Sequence, residues 1–308
     1  MARFVVTGGA GFIGSHLVKK LLMLGHDVVV YDDLSMGKRE RVPDDATFVC
    51  ADICDIEELS DAIRGADGIF HLAAKVSVRS SVERFVDDAQ VNIFGTLNLL
   101  RAVKEVGGVV RIVFASSMAV YADCAEALPI SENSVLDPIS PYGLSKLTSE
   151  KYLMMMAPFL NAKVRIVRYF NTYGSGQSLT PYVGVITIFI KKILSGESPT
   201  IFGSGNQRRD FISVHDVVDA TIRAMLWEGG SAVFNVGTGK GLSIRELAEM
   251  LIGTLSPGLR PVFAEAQAGE IENSIADTTR AKSFLGFQAG RKLQDSIAEI
   301  VESVRDIN

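Results

Sequence analysis

Two side chains one helical turn apart stand out for the chemistry they could do. The stretch Pro141-Tyr142-Gly143-Leu144-Ser145-Lys146 reads as the opening of a helix, which puts Tyr142 and Lys146 on one face. A phenol with its ordinary pKa of ~10 is a poor base at neutral pH. A lysine ammonium and an oxidised nicotinamide, both positive, would favour the phenolate, and lowering it by ~3 units takes ~4 kcal/mol of differential stabilisation. Upstream, Phe114-Ala115-Ser116-Ser117 closes an apolar run and brings hydroxyls toward the same base. Taken alone, Tyr-x-x-x-Lys on a helix is commonplace. Its surroundings give it weight.

The strongest of those surroundings is Thr7-Gly8-Gly9-Ala10-Gly11-Phe12-Ile13-Gly14, set between a β-branched run and a helical pattern. In such a turn Gly8 allows the tight reversal and Gly11 lets backbone N–H groups, with those of Phe12 and Ile13, approach a pyrophosphate. Gly14 lets the helix lie close to the strand. The positive end of the helix then faces the phosphates. Asp32 stands eighteen residues beyond Gly14, at the end of a second apolar run. A carboxylate there accepts both ribose hydroxyls and repels a 2′-phosphate, which favours NAD over NADP. Lys38 and Arg39 nearby read as a solvated loop. Asp52-Ile53, after a third short run, is placed to face the adenine edge.

These residues need a scaffold, and the patterning supplies one. Short apolar runs at 4–6, 28–31, 47–49, 69–72, 110–115 and 164–167 alternate with helical patterns at 12–24, 56–63, 87–106 and 142–156. Strands apolar on both faces and separated by helices imply a parallel sheet covered on both sides. The expected fold class is α/β, a doubly wound parallel (Rossmann) sheet with a smaller, discontinuous second domain. Glycines and prolines crowd the chain after Asn171, with one helical pattern at 183–194, and the last segment from Leu242 reads as two helices around an extended piece. The expected division is 1–172 with 209–240 for the NAD-binding part and 173–208 with 241–308 for the other.

Composition excludes several classes. The 308 residues carry 31 Lys and Arg against 36 Asp and Glu, a net charge of −5 that argues against nucleic acid as a partner. With 47% hydrophobic and 22% charged residues, the chain is of ordinary globular make-up. The longest oily run, 183–190, is far short of the ~20 residues of a membrane span. Three cysteines without metal-site spacing suit reduced thiols, so no metal and a cytoplasmic location are expected.

Taken together, the glycine turn, His71-Leu72-Ala73-Ala74, Asn92 with Gly95-Thr96, Ser116-Ser117, Tyr142 to Lys146, Arg168-Tyr169-Phe170-Asn171 and Arg209-Asp210-Phe211 resemble an extended short-chain dehydrogenase/reductase of the NAD-dependent epimerase/dehydratase group, nearly end to end. The resemblance implies NAD as cofactor and a nucleotide sugar held between the two domains. It implies that Ser117 and Tyr142 contact the sugar 4-hydroxyl, that Lys146 contacts the nicotinamide ribose, and that Lys75 and Asn92 line the cofactor site. By the same analogy Asn171 and Arg209 meet the sugar diphosphate, and Phe202 packs on the nucleobase. His71 reads as structural.

Members of this group diverge in the fate of the 4-keto sugar. A dehydratase or decarboxylase of the group would carry an acid or base just after Ser117, where this chain has Met118 and Ala119. Cys124 is out of register for a GDP-sugar 3,5-epimerase, and Asp123 and Glu126 read as loop charges. What the resemblance then implies is 4-epimerisation of a UDP-hexose, with an NDP-sugar dehydratase or 4-keto reductase as the alternative. Gln267 replaces an arginine usual in the group, before Gly269-Glu270. Ser274 stands where epimerases restricted to UDP-glucose have tyrosine, which would leave room for the acetamido group of UDP-GlcNAc or UDP-GalNAc. Surplus apolar residues on the helical patterns (Val91, Phe94, Leu97, Leu99, Leu100; Leu147, Met154 to Met156) suit a homodimer through a four-helix interface.

Overall fold

The computed structural model describes residues 1–108, 111–122, 129–177, 184–266 and 272–305. The calls on the loop charges Asp123 and Glu126, on Cys124, and on Gln267 with Gly269-Glu270 lie outside the described residues.

The strands are β1 (Arg3–Thr7), β2 (Asp27–Tyr31), β3 (Thr47–Val49), β4 (Gly68–His71), β5 (Arg111–Ser117), β6 (Lys163–Tyr169), β7 (Asn171–Tyr173), β8 (Thr200–Phe202), β9 (Arg208–Ser213), β10 (Ala232–Val236), β11 (Gly241–Ser243), β12 (Val262–Ala264) and β13 (Asn273–Ser274). Seven of them form one sheet in the order β10-β6-β5-β4-β1-β2-β3, parallel throughout. Both faces are covered, as the unbroken apolar runs require. Val6, Phe70, Val113 and Val167 face one cluster, with Leu17, Leu21 and Val217 from helices Phe12–Met23 and Val214–Leu226. Val5, Ile69, Ile112 and Ile166 face the other, with Leu59, Leu99 and Leu153. The doubly wound α/β fold is therefore present.

Local signals set the helix ends that matter for the site. Ser140 accepts from the Gly143 N–H at 3.1 Å and Pro141 fills the first position, so helix Pro141–Met156 begins just before Tyr142. Such a cap contributes about 1 kcal/mol. The strand order reverses between β1 and β4, and that switch point opens a crevice at the strands' carboxyl ends.

The rest of the chain forms a sheet of β11, β9 and β13 with β7 on β9, a β8–β12 pair, and a cluster of Ile190, Ile193, Leu247, Leu251, Ile297 and Ile300 from three helices. Two details differ from the patterning. The single helix expected at 87–106 is Phe85–Ala89, a π turn at Gln90–Phe94, and Gly95–Val106. Apolar spacing cannot register one extra residue in a turn. Among the described residues the last segment holds three helices, not two: Ile244–Leu255, Thr279–Leu285 and Leu293–Arg305. The middle one is only two turns long, and its Ala281 and Leu285 pack into the first cluster beside the seven-stranded sheet.

Of the surplus apolar residues, Leu99 and Leu100 belong to the core, whereas Phe94 and Met155 are 54% and 65% exposed. Among the described residues no helix is long and apolar enough to cross a membrane.

Candidate active site

The switch-point crevice is a cavity of ≈ 330 Å³, and most of the chemistry-bearing residues line it. Gly8, Gly11, Phe12 and Ile13 of the turn line it with Asp32, Asp52, Ile53, Lys75, Ser117, Tyr142 and Lys146, and Lys75 Nζ donates to the Ser35 hydroxyl at 3.2 Å beside the Asp32 loop. The glycine turn is as crowded as a dinucleotide turn demands. Gly8 has φ +71°, and a Cβ there would lie 2.7 Å from the Ala73 nitrogen. A Cβ on Gly14 would lie 2.1 Å from the Gly8 carbonyl oxygen. Helix Phe12–Met23 starts with no side-chain cap, leaving its N-terminus to a ligand. Asp32 is buried and accepts from the Ala10 N–H at 3.0 Å and the Leu34 N–H at 2.8 Å. Its carboxylate is thereby fixed at the cavity's end. Lys38 lies 3.8 Å from Glu40 with both exposed, and Arg39 stacks over Phe48, so neither lines the cavity.

Across the cavity, β5 delivers Ser116 and Ser117, and helix Pro141–Met156 delivers Tyr142 and Lys146. The Tyr142 backbone N–H donates to the Ser81 hydroxyl at 3.1 Å. Lys146 Nζ donates to the Ala115 carbonyl at 3.0 Å and sits 4.8 Å from the Phe114 ring centre. Burial is the largest influence on both. It pushes the Tyr142 phenol up to about 12, with the Ser117 hydrogen bond pulling down and the Asp88 carboxylate pushing further up. It pushes Lys146 down to about 8, against the pull of Asp88 and Glu150. The expected phenolate is thus not produced by the protein's own cations, because dehydrating an anion costs more than one hydrogen bond returns.

Behind this wall lies a buried network that motif reading missed. Ser116 donates to Glu150 at 2.5 Å, and Arg168 holds both Glu150 oxygens at 2.9 and 2.6 Å. Arg168 also reaches the Tyr121 hydroxyl at 2.8 Å. The signal was available in the four-residue step from Lys146 to Glu150, one more turn along the same helix face. His71 is structural as expected, set between the hydroxyls of Thr7 (2.8 Å) and Thr96 (3.1 Å), with burial pushing it down to about 3.

Asn92 differs from expectation. It does not line the cavity; its amide exchanges hydrogen bonds with the Lys75 backbone at 2.8 and 3.0 Å, which fixes the loop that does. Asn171, Phe202, Arg209 and Ser274 also lie off the cavity wall. Three of them nevertheless meet. Asn171 donates to the Ser274 hydroxyl at 3.3 Å, and Ser274 is in register with Arg209 across β13 and β9. Arg209 donates to the Arg208 and Glu272 carbonyls at 3.0 and 3.4 Å. Phe202, 37% exposed, ends β8 apart from them. The clamp on this region is Asp210, fully buried, which accepts from the Thr238, Gly239 and Ala276 backbone N–H groups at 2.8–3.1 Å. Gln177 and Thr172, unremarked in the sequence, line the cavity where β7 leaves the sheet edge.

A parallel switch-point sheet with this turn, an acidic second strand and a Ser-Tyr-Lys wall defines a dinucleotide-dependent enzyme class. The NAD dependent epimerase/dehydratase family model matches residues 4–237, and the chain belongs to that family. It is 39% identical over 311 residues to a UDP-glucose 4-epimerase of Mycolicibacterium smegmatis, covering 99% of each chain. Among solved structures, a Thermotoga maritima UDP-glucose 4-epimerase with UDP-glucose superposes with TM-score 0.93 at 37% identity, over 99% of each chain. A UDP-N-acetylglucosamine 4-epimerase from Methanobrevibacter ruminantium, in complex with UDP-N-acetylmuramic acid, gives TM-score 0.93 at 33% identity, over 100% of this chain and 99% of that one.

Proposed function

We propose that the protein is an NAD-dependent UDP-hexose 4-epimerase, an isomerase that works through a transient 4-keto sugar. One observation carries the reading. Ser117, Tyr142 and Lys146 share a cavity wall opposite the glycine turn, and the next two side chains, Met118 and Ala119, have no proton to exchange. Tyr142 takes the proton of the sugar 4-hydroxyl, with Ser117 aligning that hydroxyl by its own hydrogen bond to the phenol. When bound, oxidised NAD would supply a reversible acceptor that takes the C4 hydride and gives it back to the other face of the keto sugar, and a positive charge beside the phenol. Lys146, charged below about 8, is the second cation of that wall, and the phenol comes down from about 12 only when the cofactor's charge is added. Tyr142 then returns its proton after the keto sugar has turned its other face to the site, and C4 is inverted. Because Lys146 loses its charge as pH rises through about 8, turnover is expected to fall there.

In the same reading Gly8, Gly11, Phe12 and Ile13 hold the pyrophosphate, Asp32 the adenosine ribose, and Asp52 with Ile53 the adenine, while Lys75 closes the cavity and Asn92 fixes its loop. Asn171 and Arg209 take the sugar diphosphate and Phe202 the uracil, between the part made of 1–172 with 209–240 and that made of 173–208 with 241–308. The small Ser274 side chain leaves room for an acetamido group, so UDP-GlcNAc and UDP-GalNAc are expected substrates as well. A cytoplasmic homodimer belongs to the proposal. Free thiols at Cys50 and Cys54 fit a reducing compartment, and exposed Phe94 and Met155 fit a helix-to-helix contact.

The test is incubation of purified protein, without added cofactor, with UDP-glucose, UDP-galactose and their acetamido counterparts, followed by anion-exchange chromatography. Interconversion within each pair is expected. A dehydrated product, or a need for added reduced cofactor, would favour the dehydratase or reductase instead. No turnover of the acetamido pair would remove the role given to Ser274.

A further inference from the structure

Two carboxylates and two cations are buried together behind the cavity wall: Asp88 (3% exposed), Glu150 (3%), Lys146 (2%) and Arg168 (2%). Glu150 is accounted for. Both its oxygens are held by Arg168, and one also takes the Ser116 hydroxyl. Asp88 has no such partner. One of its oxygens accepts from the Asn92 amide at 3.0 Å, while the other is buried without a partner at hydrogen-bond distance, so that burial raises its pKa against the pull of the Ser145 hydroxyl and of Lys146. A carboxylate left this way carries a penalty of desolvation unless a positive charge lies near it. The cation not already claimed is Lys146, whose ammonium donates to one carbonyl and otherwise faces the Phe114 ring. The backbone gives the carboxylate its place, since Asp88 comes just before the π turn Gln90–Phe94 that aims Asn92 at Asp88, Ser145 and Lys75.

We propose that Asp88 is the counter-charge of Lys146, a positioning residue that keeps the ammonium protonated and oriented at the cavity wall. Its mechanistic use rests on the role given to Lys146 under the proposed function; the charge pair itself does not. The groups facing Lys146 are Asp88 from helix Phe85–Ala89, Glu150 and Tyr142 from its own helix, and neutral His71 from β4. With Glu150 committed to Arg168, Asp88 is the one whose charge governs Lys146. It also adds, behind burial, to what opposes ionisation of Tyr142.

A thermal double-substitution cycle tests the pair without reference to turnover. Lys146→Met leaves Asp88 buried and uncompensated, and is expected to lower Tm by about 5–10 °C. Adding Asp88→Asn in that background is expected to restore at least half of the loss. Additive losses would overturn the proposal. If Asp88→Asn alone does not fold, a folded double variant supports the pair and an unfolded one contradicts it. The pH profile of kcat separates positioning from mere packing. Asp88→Asn is expected to move the alkaline limb down by about one pH unit, as Lys146 loses its partner, and Asp88→Glu to leave it near the parent's. A limb unmoved by Asp88→Asn would overturn the proposal. Absence of sugar turnover in the parent would remove the proposed function and leave the thermal cycle as the deciding result.

Discussion

Around the glycine turn, five of the eight residues from Thr7 to Gly14 (Gly8, Gly11, Phe12, Ile13 and Gly14) line the cavity within a single strand-to-helix reversal. The side assigned to the sugar is assembled otherwise. Asn171, Arg209 and Ser274 come from β7, β9 and β13, and the hydrogen bond between the first and last spans 103 positions. Its clamp, Asp210, gathers N–H groups up to 66 residues away. The contrast has a physical origin. A pyrophosphate is met by backbone N–H groups and a helix end, which one short turn can supply. A sugar nucleotide is met by side chains that converge only when separate strands pair. On the proposed assignments the pyrophosphate contact is encoded locally, and substrate choice depends on long-range register.

Substitutions on the two sides should separate accordingly. The largest effect is expected from Gly14→Ala, whose methyl would lie 2.1 Å from the Gly8 oxygen and push the helix off the strand. About 3 kcal/mol of strain corresponds to a loss on the order of 100-fold in NAD affinity, measurable by calorimetry. Arg209→Met should act on the sugar side alone, raising KM for UDP-glucose by about 10–100-fold with kcat and NAD content preserved. A fall in NAD content in that variant would erase the distinction between the sides. Ser274→Ala removes only the hydroxyl that Asn171 reaches, and a KM rise of about 2–10-fold is expected.

The same contrast explains what could be read from the residues alone. The β-branched runs marked six of the seven strands of the large sheet within a residue or two at each end, because strands buried on both faces must be apolar throughout. Gly8, Gly11, Asp32, Tyr142 and Lys146 were legible since each belongs to a contiguous motif on a known element. Asp88 was not, because the charge proposed to answer it, Lys146, lies 58 residues on and acts on it only once the chain is folded. The π turn at Gln90–Phe94 was hidden too, as one added residue leaves the spacing of Val91, Phe94 and Leu97 looking helical. The cost of ionising Tyr142 was hidden for a related reason. Sequence shows the neighbouring lysine but not the depth of burial, and here burial is the larger influence.

In the proposed reaction one phenol carries the proton while the fold holds its surroundings, and Tyr142→Phe tests this with the loss of a single oxygen. NAD content and Tm are expected to stay near the parent's, while kcat for UDP-glucose to UDP-galactose falls by about 10²–10⁴-fold. Interconversion at the parent's rate in a folded, NAD-loaded Tyr142→Phe protein would contradict the account.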